Sequence, residues 1–155
     1  MKLTTFTDYC LRTLIYLAAE PGRRATIAEV AAAFDISENH LTKVVHFLGK
    51  QGWADTIRGK GGGLVLGRPA ARIGIGDVVR RAEGEVLAAE CFGADAGCCC
   101  IAPVCHLRGV LQEAVAAFHA VLDRHTLADI VGDGAALAPI LFLGRASGPT
   151  MEFPS

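Results

Sequence analysis

The stretch "TIAEVAAAFDISENHLTKVVHFLGKQGWADTIRGKGGGLVLGRP", residues 26 to 69, constrains the fold more than any other part of the chain. Thr26 and Glu29 have the spacing of a capping box, which predicts a short helix from Ile27 to near Phe34. After the break "DIS", Ser37 can cap a further helix. Its buried face would be Leu41, Val44, Val45 and Leu48, and its stop is "KQGW", with Gly52 past the end. Two short helices joined by a tight turn are the signature of a helix-turn-helix. "WADTIRGKGGGLVLGRP" then reads as a strand, a glycine-rich turn carrying Arg58 and Lys60, and a second strand closed by Pro69. A phosphate loop is the rival for those glycines, but no Lys-Ser/Thr follows them and no helix opens there.

The flanks extend the pattern. Upstream, Phe6, Tyr9, Cys10, Thr13, Leu14 and Leu17 recur at a helical period over residues 5–19, ended by "EPGRR". Helix, helix, helix, hairpin is a winged helix. Downstream, "GDVVRRAE" (76–83) predicts a short helix that returns the chain to the core. From His106 to Arg124, Leu107, Val110, Leu111, Ala114, Phe118, Val121 and Leu122 mark one apolar face on a helix about 28 Å long at about 1.5 Å per residue. A winged-helix domain is already closed on itself, so this face is expected to meet its copy in a two-fold homodimer, which suits symmetric DNA half-sites. Packing back on its own domain is the alternative. "TLADIVG" predicts a last short helix capped by Thr126. The expected class is mainly α with a small β-hairpin. Its parts are a winged helix-turn-helix domain (1–83), a ligand-binding loop (84–105), a dimerisation helix with a short C-terminal helix (106–131) and a loosely attached tail (132–155).

Composition supports a globular chain with apolar surface to spare: 52% of the 155 residues are hydrophobic. No apolar run approaches the roughly 20 residues that cross a bilayer, and the start carries hydroxyls and an acid where a signal peptide needs an unbroken apolar segment. A cytoplasmic location without a membrane partner is expected. The net charge of −1 hides an asymmetry. Residues 1–70 hold nine Lys/Arg against six Asp/Glu, and residues 71–155 six against ten, so the first part is where a polyanion would dock. On the helix after "DIS", Ser37, Asn39, His40, Thr42 and Lys43 would face a DNA major groove, with Arg58 and Lys60 on the wing. Asn pairs with adenine, Lys and Arg reach phosphate or guanine, and a wing arginine can enter a narrow A·T-rich minor groove.

Five of the six cysteines lie in "ECFGADAGCCCIAPVCHL", residues 90–107. In a reducing compartment clustered thiols bind metal more often than they pair, and soft thiolates select iron–sulfur clusters, zinc or cuprous copper. A zinc ribbon is disfavoured because no pair of C-x-x-C knuckles exists, and ferredoxin spacing is absent. Adjacent Cys98, Cys99 and Cys100 compete for one ligand position. Cys10 reads as a small buried apolar residue. No nucleophile–base pair or paired carboxylates point to an enzyme.

"LTTFTDYCLRTLIYLA", "SENHLTKVV", "RGKGGGLVLGRP", "IGIGDVVR", "AECF", "CIAPVCHLRGVL" and "AFHAVLDRHTLADIV" together resemble the cluster-binding winged-helix repressors that include NsrR, IscR and RirA, over residues 1–131. "NHLTKVV" and "VLDRHTLADIV" are closer to the nitric-oxide-sensing NsrR type, and "AECF" is shared with RirA. The resemblance implies a dimeric repressor of a double-stranded DNA operator with an iron–sulfur cluster, 4Fe-4S or 2Fe-2S, whose nitrosylation by nitric oxide releases the operator. It implies ligands at Cys91, Cys99 and Cys105, a fourth at Asp8 supplied by the partner subunit, and Arg12 holding or neutralising that acid. An acid in a first helical turn is also favoured by the helix dipole without iron. The chain departs from the pattern in its triple cysteine, in the longer gap after Cys91, and in Arg108, where IscR-like members carry a histidine ligand. An iron- or redox-responsive repressor of the same family, an electron-transfer protein and a zinc-stabilised DNA-binding protein are the rival functions.

Overall fold

The computed structural model describes residues 2–84, 100–101 and 104–142. Its elements in chain order are α1 (Thr5–Ala19), α2 (Ile27–Phe34), α3 (Glu38–Lys50), β1 (Ala54–Ile57), β2 (Gly63–Leu66), a single 3-10 turn (Ala70–Arg72), α4 (Ile75–Glu83), α5 (His106–Leu122), α6 (Leu127–Val131) and α7 (Ala138–Phe142). The fold is a winged helix-turn-helix with a long trailing helix.

Local chemistry sets the boundaries. Thr4 caps α1, its hydroxyl accepting from the Thr7 amide. Thr26 and Glu29 form the reciprocal capping box at α2, and Ser37 accepts from the His40 amide at α3. Between α2 and α3 the chain reverses through Asp35 at φ 55°, a left-handed conformation that Asp tolerates better than most side chains. That one residue lets α3 leave at an angle to α2.

Burial ties the helices to the hairpin. Leu14, Val30, Leu41, Val44, Leu48, Trp53, Ile73, Val78, Val79 and Leu127 form the centre of the core, each at most 1% exposed. β1 and β2 pair antiparallel with Ala54 opposite Leu66 and Ile57 opposite Gly63. Only Ala54 and Leu64 of the hairpin are fully buried, so most of it stands clear of the core.

After α5 the chain returns to the winged-helix body. The Ile75 amide donates to His125 O and the Leu127 amide to Ile73 O, a short antiparallel bridge that delivers Leu127 to the core. Arg80 grips Asp123 with two parallel hydrogen bonds of 2.9 and 2.7 Å. Gly76 permits this approach, since a Cβ there would collide with Asp123.

Two expectations change. The single apolar face foreseen on α5 is two faces. Phe118 and Leu122 pack towards the chain's own core, while Leu107, Val110 and Val121 stay exposed at 61%, 61% and 45%. The expected loose tail is also ordered in its first part: α7 sets Phe142 edge-on against Tyr16 at 5.1 Å between ring centroids, with the Arg23 guanidinium 4.3 Å from its centroid. Residues 143–155 lie outside the described residues.

Candidate nucleic-acid interface and ligand residues

α3 is buried along Leu41, Val44 and Leu48, with Val45 only half-buried where full burial was expected, and Ser37, Asn39, His40, Thr42 and Lys43 are exposed. Their roles differ. Ser37 spends its hydroxyl on the helix cap, and Thr42 donates back to Glu38 O at 2.9 Å. Asn39 and Lys43 are left facing outward, and the 3–4 spacing continues the stripe to His46 and Lys50, both exposed. Those last two escaped the sequence reading, although their periodicity with Asn39 carries the signal.

The wing places Arg58 and Lys60 on its exposed tip. The tip closes through a hydrogen bond from the Gly62 amide to Gly59 O at 2.9 Å. Arg68 fixes the base of the wing to the end of α3, donating from Nε to Gly52 O at 2.8 Å and from Nη2 to Gln51 O at 2.9 Å.

Asp8 stands in the first turn of α1, and its carboxylate meets Arg12 Nε at 2.8 Å with both side chains over 40% exposed. They line an open cleft of about 640 Å³ together with Lys2, Tyr9, Phe34 and Asp35. The neighbours of Asp8 lead straight to α3. Tyr9 lies against His40 at 6.2 Å between centroids, and Phe6 packs edge-on against Phe47 at 5.3 Å. Arg12 itself sits 5.9 Å from the centroid of Phe34 at the end of α2.

Of the cysteines, Cys105 is the half-buried N-cap residue of α5, with no side-chain cap bond and no acid in the first turn. Cys100 is exposed. Cys10 is fully buried, and burial pushes its thiol up to about 12, so it is an inert core residue, as read from the sequence. Cys91, Cys98 and Cys99 lie outside the described residues. Among the described residues no three His, Cys, Asp or Glu side chains converge as a metal site. No helix among them is long and apolar enough to cross a membrane.

A family profile described as "Rrf2: Iron-dependent Transcriptional regulator" matches residues 3–133. The chain belongs to the Rrf2 family. The HTH-type transcriptional regulator NsrR of Bacillus subtilis (strain 168) is 52% identical over 132 residues, covering 84% of this chain and 90% of that one. The protein of the same name from Geobacillus kaustophilus (strain HTA426) is 47% identical over 91% of this chain and 97% of its own length. Among solved structures, T. potens IscR superposes with a TM-score of 0.70 at 25% identity, covering 88% of this chain and 90% of that one. The oxidized form of Staphylococcus aureus CymR superposes with a TM-score of 0.66 at 27% identity, covering 85% and 97%. As an Rrf2 member the chain is a winged helix-turn-helix transcription regulator that acts on DNA, and not an enzyme.

Proposed function

We propose that this Rrf2 protein is a nitric-oxide-sensing repressor, working as a homodimer in the cytoplasm and holding a 4Fe-4S cluster between its subunits. The observation that carries the coupling is the position of Asp8, exposed on α1 and one residue from the Tyr9 ring that lies against His40 of the reader helix. Cys91, Cys99 and Cys105 of one protomer, with Asp8 of the partner subunit, would hold the cluster. The donor chemistry fits, since soft sulfurs suit iron and the Cys105 side chain is not spent on capping α5. When bound, the cluster supplies iron that reacts with nitric oxide.

The rest is the work of this chain's own residues. Arg12 competes for the Asp8 carboxylate, so Asp8 has an alternative partner ready when its other contact is lost. Any shift of the α1 start is passed to α3 through Phe6 on Phe47 and Tyr9 on His40. Asn39 and Lys43, with Arg58 and Lys60 on the wing, would then lose their common register on the operator, where phosphate contacts position the dimer and base contacts select the site. Ser37, His40 and Thr42 support the same face.

Anaerobically purified protein should contain iron and sulfide, and native mass spectrometry should report a 4Fe-4S rather than a 2Fe-2S mass. Nitric oxide should abolish operator binding in a gel-shift titration. Colourless, iron-free protein that binds the operator equally well with and without nitric oxide would overturn the reading. Release by an iron chelator but not by nitric oxide would favour the iron-responsive alternative.

A further inference from the structure

The wing is a poor structural unit by itself. A two-stranded hairpin is marginal in water, and here only Ala54 and Leu64 are fully buried, with Leu66 half-buried against the core. It is nonetheless docked, by a contact outside its own sequence. The Ala25 amide donates to Leu64 O at 3.0 Å and the Leu64 amide donates to Ala25 O at 2.6 Å, so the linker between α1 and α2 acts as a third strand for one residue pair. Gly63 makes this possible, because a Cβ there would come within 2.9 Å of Ala25 O. That bridge anchors the root of the wing and leaves the tip, residues 58–62, beyond it.

Arg24 spans the remaining distance. Its Nη1 donates to Gly61 O at 2.6 Å, linking residues 37 positions apart, and the bond lands on the turn that carries Arg58 and Lys60. The same guanidinium adds a cation beside those two.

We infer that Arg24 is the positioning residue of the wing: by holding the Gly61 carbonyl it fixes the height and direction in which Arg58 is offered to the minor groove. This rests on the reading above that the wing contacts DNA. Without Arg24 the tip would still be formed by its own turn, but it would swing about the Ala25–Leu64 bridge. DNA binding would then have to order it, and the affinity would fall by that ordering cost.

The test uses the full-length dimeric protein as purified, with Arg24→Ala, Arg58→Ala, the double variant and Arg24→Lys, titrated against one operator duplex at fixed salt. Arg58→Ala should weaken binding whatever Arg24 does; no effect would remove the wing reading and this role for Arg24 together. Arg24→Ala should weaken binding about tenfold, the size of one charge-assisted hydrogen bond. It should cost almost nothing further in the Arg58→Ala background, and Arg24→Lys should recover part of the loss. Amide hydrogen exchange on DNA-free protein should quicken more at Gly61 to Gly63 than at the core amides of α3 in Arg24→Ala, with the thermal midpoint lowered by only a few degrees. Unchanged exchange, or losses that multiply in the double variant, would overturn the inference and make Arg24 an independent phosphate contact.

Discussion

Glu83, the last residue of α4, closes on Thr4, accepting from its amide at 2.6 Å and from its hydroxyl at 3.0 Å. The carboxylate thereby sits at the positive start of α1, joining the helix that carries Asp8 to the point where the chain departs for the thiol-bearing segment. Burial raises the Glu83 pKa, but hydrogen bonds from Thr7 and Thr4 outweigh it and hold the group below its ordinary 4.5. A depressed carboxyl adds stability above the unfolded value, and this is lost as pH falls through the folded one. Glu83→Gln should therefore lower stability at pH 7 by about 0.5 kcal/mol, small because the group is partly exposed and screened. The gap in thermal midpoint between the two proteins should close as pH drops below 4.5; a gap that persists at pH 3 counts against the assignment.

Thiol chemistry should separate the cysteines by burial. Under native conditions at neutral pH, iodoacetamide should label the exposed Cys100 of iron-free protein and spare Cys10, whose thiol is fully buried and raised to about 12. Peptide mass spectrometry reads both sites. Cys10→Ser should keep iron and sulfide at wild-type content, whereas Cys105→Ser should lose them.

The exposed side of α5 offers a direct test of association. Leu107, Val110, Ala114, Ala117 and Val121 alternate at three and four, the repeat of a two-helix seam, and all are exposed in the single chain. Val110→Glu should convert the proposed dimer to a monomer in sedimentation velocity and weaken operator binding by at least tenfold, since paired half-sites would no longer be engaged together. Leu111→Ala, on the half-covered side, should leave the dimer intact. Dimeric Val110→Glu protein would place the interface elsewhere.

Asp35 occupies the left-handed turn between the two helices of the reader motif. Asp35→Val should destabilise the fold by about 1–2 kcal/mol, because a β-branched side chain is poorly accommodated at positive φ. Asp35→Gly should be neutral or slightly stabilising. Urea unfolding midpoints decide the matter, and equal midpoints for the two variants would contradict the strained geometry.

Much of the architecture was legible because its signals are local. Thr26 with Glu29 and the lone Ser37 announce helix starts within one residue, and "RGKGGG" announces the wing tip. Contacts between distant segments were not legible. Phe142 packs on Tyr16 from a five-residue helix too short to show a period, and Arg24 finds Gly61 only after the wing has folded back. On α5 the sequence shows apolar residues at helical spacing, but only packing decides that Phe118 and Leu122 turn inward while Leu107 and Val110 turn out. The solvent-facing side of α3 was legible by position, and hydrogen bonds divide it: Ser37 and Thr42 are occupied at α3, while Asn39 and Lys43 are simply exposed. For Cys91 and Cys99 chemistry alone speaks, since both fall outside the described residues.

The return of the chain at Ile73 to Leu127 has a mechanical consequence. α5 is fastened to the body that carries α3 by a backbone bridge and by the Arg80–Asp123 fork, so it is no free lever. In the proposed two-fold pair, a change in the crossing of the two long helices would carry each helix-turn-helix body along as one piece. A small rearrangement near that axis would then become a larger displacement of α3.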